Sequence, residues 1–223
     1  SRWIIGPLAD WPLLILAPLL ALALGLALGL TPLGSRRVEL FGARGSVADG
    51  LIGVFITAHL ALVFFRSHAN GEVFVRHPVR FTYVPLALFA TLLAFPWARV
   101  CAAVLAVWWD VYHSSLQTFG LGRIYDRLAG NDPCEGRLPD MLLNHLLYIG
   151  PILGGASLML HTRVFQGFDT LGWSNLSALA LSAPSPEAAR ALLWIGSAYA
   201  SGFLVWALWR RDMPVQKACL YAA

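Results

Sequence analysis

The chain has 223 residues, of which 58% are hydrophobic and only 13% are charged, and its mean hydropathy is +0.65. Soluble domains are typically about half apolar and about a quarter charged. This composition excludes an ordinary soluble enzyme, a disordered chain and a disulfide-rich secreted domain. The small net charge of +4 comes from basic residues in short loops between apolar blocks, which argues against nucleic-acid binding.

Six apolar segments are long enough to cross a bilayer, since a helical span needs about 20 residues. They cover residues 11–30, 47–65, 81–98, 100–120, 141–162 and 191–209. We predict an all-α integral membrane protein, with a bundle of six transmembrane helices in a single domain, residues 1–223. Six spans place both termini on one side. Ten of the 16 basic residues fall on that side, so the positive-inside rule predicts cytoplasmic termini in a multi-pass protein of a bacterial-type inner or plasma membrane.

The end of the fourth segment carries two glycines in a short polar sequence. Gly120 and Gly122 are expected to let the chain turn at the membrane surface, because glycine adopts turn conformations that other residues avoid. This turn would leave Arg123, Tyr125 and Asp126 over the cytoplasmic mouth of the bundle.

Five of the six histidines fall in the cytoplasmic half of the predicted bundle. His59 lies in the second segment, His113 in the fourth and His145 in the fifth. Ionisable groups inside a span are costly, usually face the bundle interior and mark a site. Neutral imidazole is the commonest metal ligand in proteins and suits iron and copper. We predict that these three histidines, with His68 at the end of the second segment, bind a transition metal.

Two more polar residues share a helix face with the histidine of the fourth segment. Asp110, His113 and Gln117 are spaced i, i+3 and i+7, which places them on one face. We predict that Asp110 accepts a hydrogen bond from His113, as carboxylates do beside metal-bound imidazoles. Asp110 and Gln117 are therefore the predicted catalytic residues, and either one could complete the metal shell.

A second polar stripe lies on the fifth segment, beside His145. Asp140, Asn144 and Tyr148 are spaced i, i+4 and i+8, so they follow one face of that helix. For His59 the alternative is a structural role as a hydrogen-bond partner of a neighbouring helix, and for His145 it is a position at the membrane interface. For His68, which lies at headgroup depth among arginines, the alternative is a solvated or lipid-phosphate-facing role.

The histidine cluster on the cytoplasmic side of a helical bundle is similar in layout to the integral-membrane non-haem iron desaturases and hydroxylases. Successive histidines here are separated by 9, 9, 36, 32 and 16 residues. The H-x-x-x-H and H-x-x-H-H boxes of those families are therefore absent. The similarity is one of layout alone, and it assigns no residue roles.

These patterns together predict an integral-membrane, metal-dependent oxidoreductase of the oxygenase or hydroxylase type, with iron or copper and a lipophilic small-molecule substrate. The alternative is a non-catalytic membrane subunit of a larger redox or photosynthetic complex, which binds haem, quinone or pigment or is purely structural. A transporter is less favoured, because the polar residues concentrate on one side and no internal repeat is visible. The expected partners are the lipid bilayer and other membrane subunits.

Overall fold

The computed structural model describes residues 2–40, 43–132, 134–154, 160–210 and 213–223. These residues are mainly helical, which confirms the predicted all-α class. They form two compact units, the first made of Ser1–Ala17 with Phe95–Ala223 and the second of Pro18–Ala94. That the whole chain is a single domain stays a prediction.

The described residues contain twelve α-helices, three short segments of other helix types and one β-hairpin. The α-helices are α1 (Pro7–Asp10), α2 (Ala17–Gly29), α3 (Pro32–Ser35), α4 (Val47–Ser67), α5 (Gly71–Arg76), α6 (Val84–Ala94), α7 (Pro96–Ala129), α8 (Arg137–Leu153), α9 (Leu160–Arg163), α10 (Ser174–Ser182), α11 (Pro186–Arg210) and α12 (Val215–Ala222). Trp11–Ile15 and Val79–Tyr83 are π-helical, and Val164–Leu171 is a 3₁₀ helix. The strands β1 (Arg37–Leu40) and β2 (Ala43–Ser46) pair antiparallel, with Arg37 opposite Ser46.

Two helices of the described residues, α4 and α11, are long and apolar enough to cross a membrane. A third candidate is Pro7–Ile15 together with α2, which meet at a bend of 55°. The other predicted spans contain helices that are shorter or more polar: residues 79–94 form a shorter apolar helix, α7 carries charges along its length, and α8 ends at Leu153. Residues 155–159 of the predicted fifth span lie outside the described residues. The structure thus gives two or three candidate spans and does not by itself support six.

Helix α4 shows how the candidate spans are built. It starts at a capping box, in which the Ser46 hydroxyl accepts from the backbone N–H of Asp49 and the Asp49 carboxylate accepts from the backbone N–H of Ser46. These bonds satisfy donors that a helix start leaves unpaired. None of its residues is buried, although the helix is strongly apolar. An apolar helix that exposes its side chains all round has the surface expected for lipid contact.

Helix α7 is the longest element, and its ends follow from the sequence. Pro96 occupies its first turn, where the missing N–H of proline is not needed. The helix continues through Gly120 and Gly122, so the predicted turn at these glycines is wrong. It ends at Gly130, which has a φ of +92° and donates its N–H to the carbonyl of Arg127. Arg123, Tyr125 and Asp126, which were predicted to lie beyond a turn, instead belong to the last two turns of α7.

The core of the first unit lies around this end of α7. Ile15, Tyr125 and Leu220 are nearly inaccessible and pack together. Helix α8 packs against α7 and α11, and α12 packs against α7. The N-terminal segment, the end of α7 and the C-terminal helix therefore meet at one place.

Candidate functional site

Two predicted site residues on α7 contact each other. His113 Nε2 lies 2.9 Å from the amide nitrogen of Gln117, one helical turn away, and the His113 ring stacks on Trp109 at 6.4 Å between ring centres. With the amide in this orientation, Gln117 donates to Nε2 and the ring proton sits on Nδ1. With the amide reversed, its oxygen accepts from Nε2–H and the lone pair is on Nδ1.

His145 lies on α8 and faces α7. Its Nδ1 is 2.8 Å from the backbone carbonyl of Met141 and therefore donates to it, which in a neutral imidazole leaves the lone pair on Nε2. Its ring meets the Tyr112 ring of α7 edge to face at 5.4 Å. A hydrogen bond from one ring nitrogen to a backbone carbonyl is the arrangement that fixes a metal-binding imidazole, so His145 is oriented as a ligand would be.

His59 and His68 belong to the second unit. His59 is exposed on α4. His68 caps the end of α4, with Nδ1 at 2.9 Å from the Ser67 hydroxyl and Nε2 at 3.2 Å from the carbonyl of Phe81. Both ring nitrogens of His68 are therefore engaged. The assignment of these two histidines as metal ligands stays a prediction.

Asp110 does not take the place expected for it beside His113. Its side chain is exposed, and the partner of His113 Nε2 is Gln117 instead. Among the described residues, no group of three or more His, Cys, Asp or Glu side chains is arranged to hold a metal ion.

The strongest polar assembly in the first unit lies at the end of α7 and contains two cations and two carboxylates. We call Arg123, Asp126, Asp140 and Lys217 the ion cluster. Arg123 Nη1 contacts Asp126 Oδ2 at 2.8 Å and Asp140 Oδ2 at 2.5 Å, and Lys217 Nζ contacts the same two oxygens at 2.8 and 2.6 Å. Each cation thus bridges both carboxylates, and the four charges alternate and cancel. Asp126, Asp140 and Lys217 are buried, and the Arg123 side chain is only 11% exposed.

Three buried oxygen atoms beside the ion cluster have no hydrogen-bond partner within the described residues. They are Asp140 Oδ1, Asn144 Oδ1 and the hydroxyl of Tyr221. Asp140 and Asn144 are fully inaccessible, and the amide nitrogen of Asn144 already donates to the carbonyl of Asp140 at 2.8 Å. Unsatisfied buried polar atoms are rare and costly; of these three, only the Tyr221 hydroxyl can donate, and the side chain of Asn144 is its hydrogen-bonding neighbour.

Burial perturbs two titratable groups of this region. Burial raises the pKa of Asp126 above its ordinary value, and Asp140 adds to this effect, while Lys217 and Arg123 oppose it. Burial and the nearby Asp140 carboxylate raise the pKa of Tyr221. Tyr221 therefore stays a neutral hydroxyl at any physiological pH, and Asp126 takes up a proton more readily than an exposed aspartate does.

A third buried carboxylate, Asp10, ties the N-terminal segment to α7. It accepts hydrogen bonds from the backbone N–H groups of Ile4, Ile5 and Gly6 at 2.7, 2.9 and 3.2 Å. The Tyr125 hydroxyl donates to it at 3.1 Å. Four donors compensate the burial of one charge, so this contact has a structural explanation.

The sequence indicated part of the ion cluster but not its centre. The predicted stripe on α8 faces α7, where Asp140 meets Arg123 and the Tyr148 hydroxyl lies 2.7 Å from that of Thr118. The role of Lys217 in the cluster was not predicted, because a single lysine outside the apolar segments was counted only among the basic residues that indicate membrane orientation. The available signal was its spacing in the sequence Gln-Lys-Ala-Cys-Leu-Tyr, where Lys217 and Tyr221 lie four residues apart on one face of a short helix.

No protein-family model matches the chain, and the comparisons with curated proteins and with solved structures likewise gave no match.

Proposed function

We propose that this chain is a multi-pass membrane protein with an oxidation–reduction centre on the α7–α8 helix pair, in which His113 and His145 bind iron or copper and the substrate is a lipophilic small molecule. The observation that carries the proposal is the hydrogen bond that His145 Nδ1 donates to the backbone carbonyl of Met141. In a neutral ring, this bond leaves the Nε2 lone pair for a ligand. The Tyr112 contact places this ring at the α7 interface, one residue from His113.

The finer membrane topology belongs to the same proposal. Each of the six apolar segments contains a helix within the described residues, and the excess of basic residues on one side favours cytoplasmic termini. Cys134 is exposed in the connection between α7 and α8, on the proposed cytoplasmic side. In right-side-out vesicles, a membrane-impermeant maleimide is expected to leave Cys134 unlabelled and to label a cysteine placed at Ser182. Labelling of Cys134, with a Cys134→Ser variant as background, contradicts this orientation.

Metal analysis of the full chain purified in detergent tests the redox proposal. We expect a stoichiometric content of iron or copper in the wild type, a loss of most of it in His145→Ala and in His113→Ala, and no loss in His77→Ala, which changes a histidine at the end of α5. A wild-type protein without a transition metal, or one whose content survives the His145 change, refutes the proposal. An intense Soret band would instead assign haem and favour the membrane-subunit alternative.

Gln117 supplies a second test at the same place. Its amide occupies His113 Nε2, so it either orients the ring or must move aside for a metal. Gln117→Leu removes this hydrogen bond but keeps a side chain of similar length. We expect it to change the optical spectrum or the affinity of the bound metal without abolishing binding, since partners of a ligating histidine tune affinity by about 10–100-fold.

A further inference from the structure

We propose that the groove between α2 and α4 binds an acidic phospholipid, with one acyl chain in the apolar groove and the phosphate at the arginines beside its end. The groove belongs to the second unit and contains neither His113 nor His145. The inference therefore goes beyond the proposed redox function and does not depend on it.

The groove is an apolar space of about 530 Å³ between two candidate membrane helices. Ala21, Gly25 and Gly29 line one wall at intervals of four residues along α2, and Leu51 and Phe55 of α4 line the other. A Cβ atom added at Gly25 or Gly29 would meet no neighbouring atom within 4 Å, so no other described residue fills the space there. The volume is within the range of pockets that hold small molecules, about 300–1,000 Å³.

Helix α3 closes one end of the groove. Gly34 is buried, and a Cβ atom there would collide with the backbone carbonyl of Leu28, so α3 lies directly against the end of α2. Thr31 and Ser35 line the groove at this end, and each hydroxyl donates to a backbone carbonyl of its own segment. These hydroxyls are already used as donors, so the recognition of a charged head group depends on the basic residues that follow.

A polar recess of about 540 Å³ adjoins this end, and Ser35 lines both spaces. Arg37 and Asp49 also line the recess, but the Asp49 carboxylate is engaged by the capping box of α4. The side chains of Arg36 and Arg37 are exposed. Residues 36–49 contain three arginines and two carboxylates, so positive charge is in excess, and guanidinium groups bind phosphate through paired hydrogen bonds.

This charge favours a lipid over a second copy of the chain as the occupant of the groove. Two copies related by a twofold axis along the membrane normal would hold the same groove at the same depth. Their arginines would then lie close together and repel each other. An acidic phospholipid instead supplies an acyl chain for the groove and a negative charge for Arg36 and Arg37, as anionic head groups do in basic pockets between membrane helices.

Photo-crosslinking of the full chain in phosphatidylcholine vesicles tests the proposal. The probe is phosphatidylglycerol with a photoactivatable acyl chain, and phosphatidylcholine with the same chain is the neutral control probe. Mass spectrometry identifies the labelled peptides. We expect the peptides of α2 and α4 that line the groove to be labelled several-fold more by the acidic probe than by the neutral one.

Variants separate the two parts of the site. Arg36→Gln and Arg37→Gln should each lower labelling by the acidic probe about fivefold, the contribution of one basic residue near an anionic membrane surface, without changing labelling by the neutral probe. Arg66→Gln changes an arginine in the last turn of α4 and should have no effect. Gly25→Leu should block labelling of the groove, whereas Gly53→Leu changes a glycine of α4 that does not line it and should not.

Three outcomes overturn the proposal. Equal labelling by the two probes, or acidic labelling that survives both arginine changes, shows that the groove is ordinary lipid-facing surface. Absence of label from the groove peptides shows that no acyl chain lies there. A cross-link between two copies through these peptides assigns the groove to a second chain. Because Arg36 and Arg37 are exposed, their variants test the site even if Gly25→Leu does not fold.

Discussion

Replacement of Lys217 by methionine is expected to destabilise the protein strongly, because Lys217 balances half of the buried negative charge in the ion cluster. Methionine keeps much of the side-chain volume but removes the ammonium. Lys217 makes two contacts with carboxylates, at 2.8 and 2.6 Å, and a hydrogen bond to a charged group contributes about 1.5–3 kcal/mol. Removal of one partner from a buried ion pair costs about 3–5 kcal/mol, which agrees with the sum of two such bonds.

A second substitution tests whether charge balance is the cause. Asp140→Asn alone leaves two cations with one carboxylate and should be similarly destabilising. Combined with Lys217→Met, it leaves Arg123 and Asp126 as a neutral pair. The double variant should therefore be more stable than the sum of the single effects predicts, by about 1–3 kcal/mol.

The assay is unfolding of the full chain in detergent, followed by the fluorescence of its nine tryptophans. Arg190→Met is the matched control, since Arg190 and Glu187 are 72% and 74% exposed, and an exposed pair contributes less than about 1 kcal/mol. A cost for Lys217→Met no larger than that of the control, or strictly additive effects in the double variant, refutes the charge-balance reasoning.

The pH dependence of the same variant has a definite sign. Lys217 is the largest influence that lowers the pKa of Asp126, so its loss raises that pKa further. A carboxyl with a raised pKa in the folded state binds a proton there first, and its contribution to stability falls as pH rises through that pKa. The difference in stability between Lys217→Met and wild type should therefore become smaller as the pH is lowered from neutral toward, but not below, 3.8, which is the ordinary pKa of an aspartate.

Two further changes test the packing around the ion cluster by the same unfolding assay. Tyr125→Phe removes the hydroxyl that donates to Asp10 and should cost about 1.5 kcal/mol, the low end for a bond to a charged group, because Asp10 keeps three backbone donors; no measurable cost would contradict this role. Gly122→Ala places a methyl group where the Tyr221 hydroxyl lies and should cost about 1–3 kcal/mol, whereas Gly120→Ala meets open space and should be neutral or stabilising by up to about 1 kcal/mol. Equal effects of the two glycine changes would show that Tyr221 does not pack there.

The helices of this protein were predictable because apolar runs and proline positions act locally. Pro96 separates α6 from α7 in the structure, as a residue that starts a helix but cannot continue one. The number of spans was less predictable, because an apolar run of span length does not ensure an uninterrupted helix of that length. Residues 79–94 and α8 are examples of the difference.

The candidate site was predictable only where helical spacing determines it. The stripe of Asp140, Asn144 and Tyr148 follows one helical periodicity, and both its ends contact α7, through Arg123 and Thr118. The need for glycine at position 122 depends instead on Tyr221, which lies 99 positions later in the sequence and packs against it. The residues next to Gly122 in the sequence do not indicate this contact. The same holds for Lys217, whose partners come from α7 and α8.

The redox centre on α7 and α8 is the central functional claim, and locating the metal tests it most directly. Anomalous scattering or a high-resolution density map of the purified, metal-replete protein should show one ion at about 2.0–2.2 Å from His145 Nε2, the usual range for imidazole ligands. His113 should be the second ligand of that ion. A map in which only packed side chains occupy the space around His145, or in which the ion lies elsewhere, would contradict the proposed function.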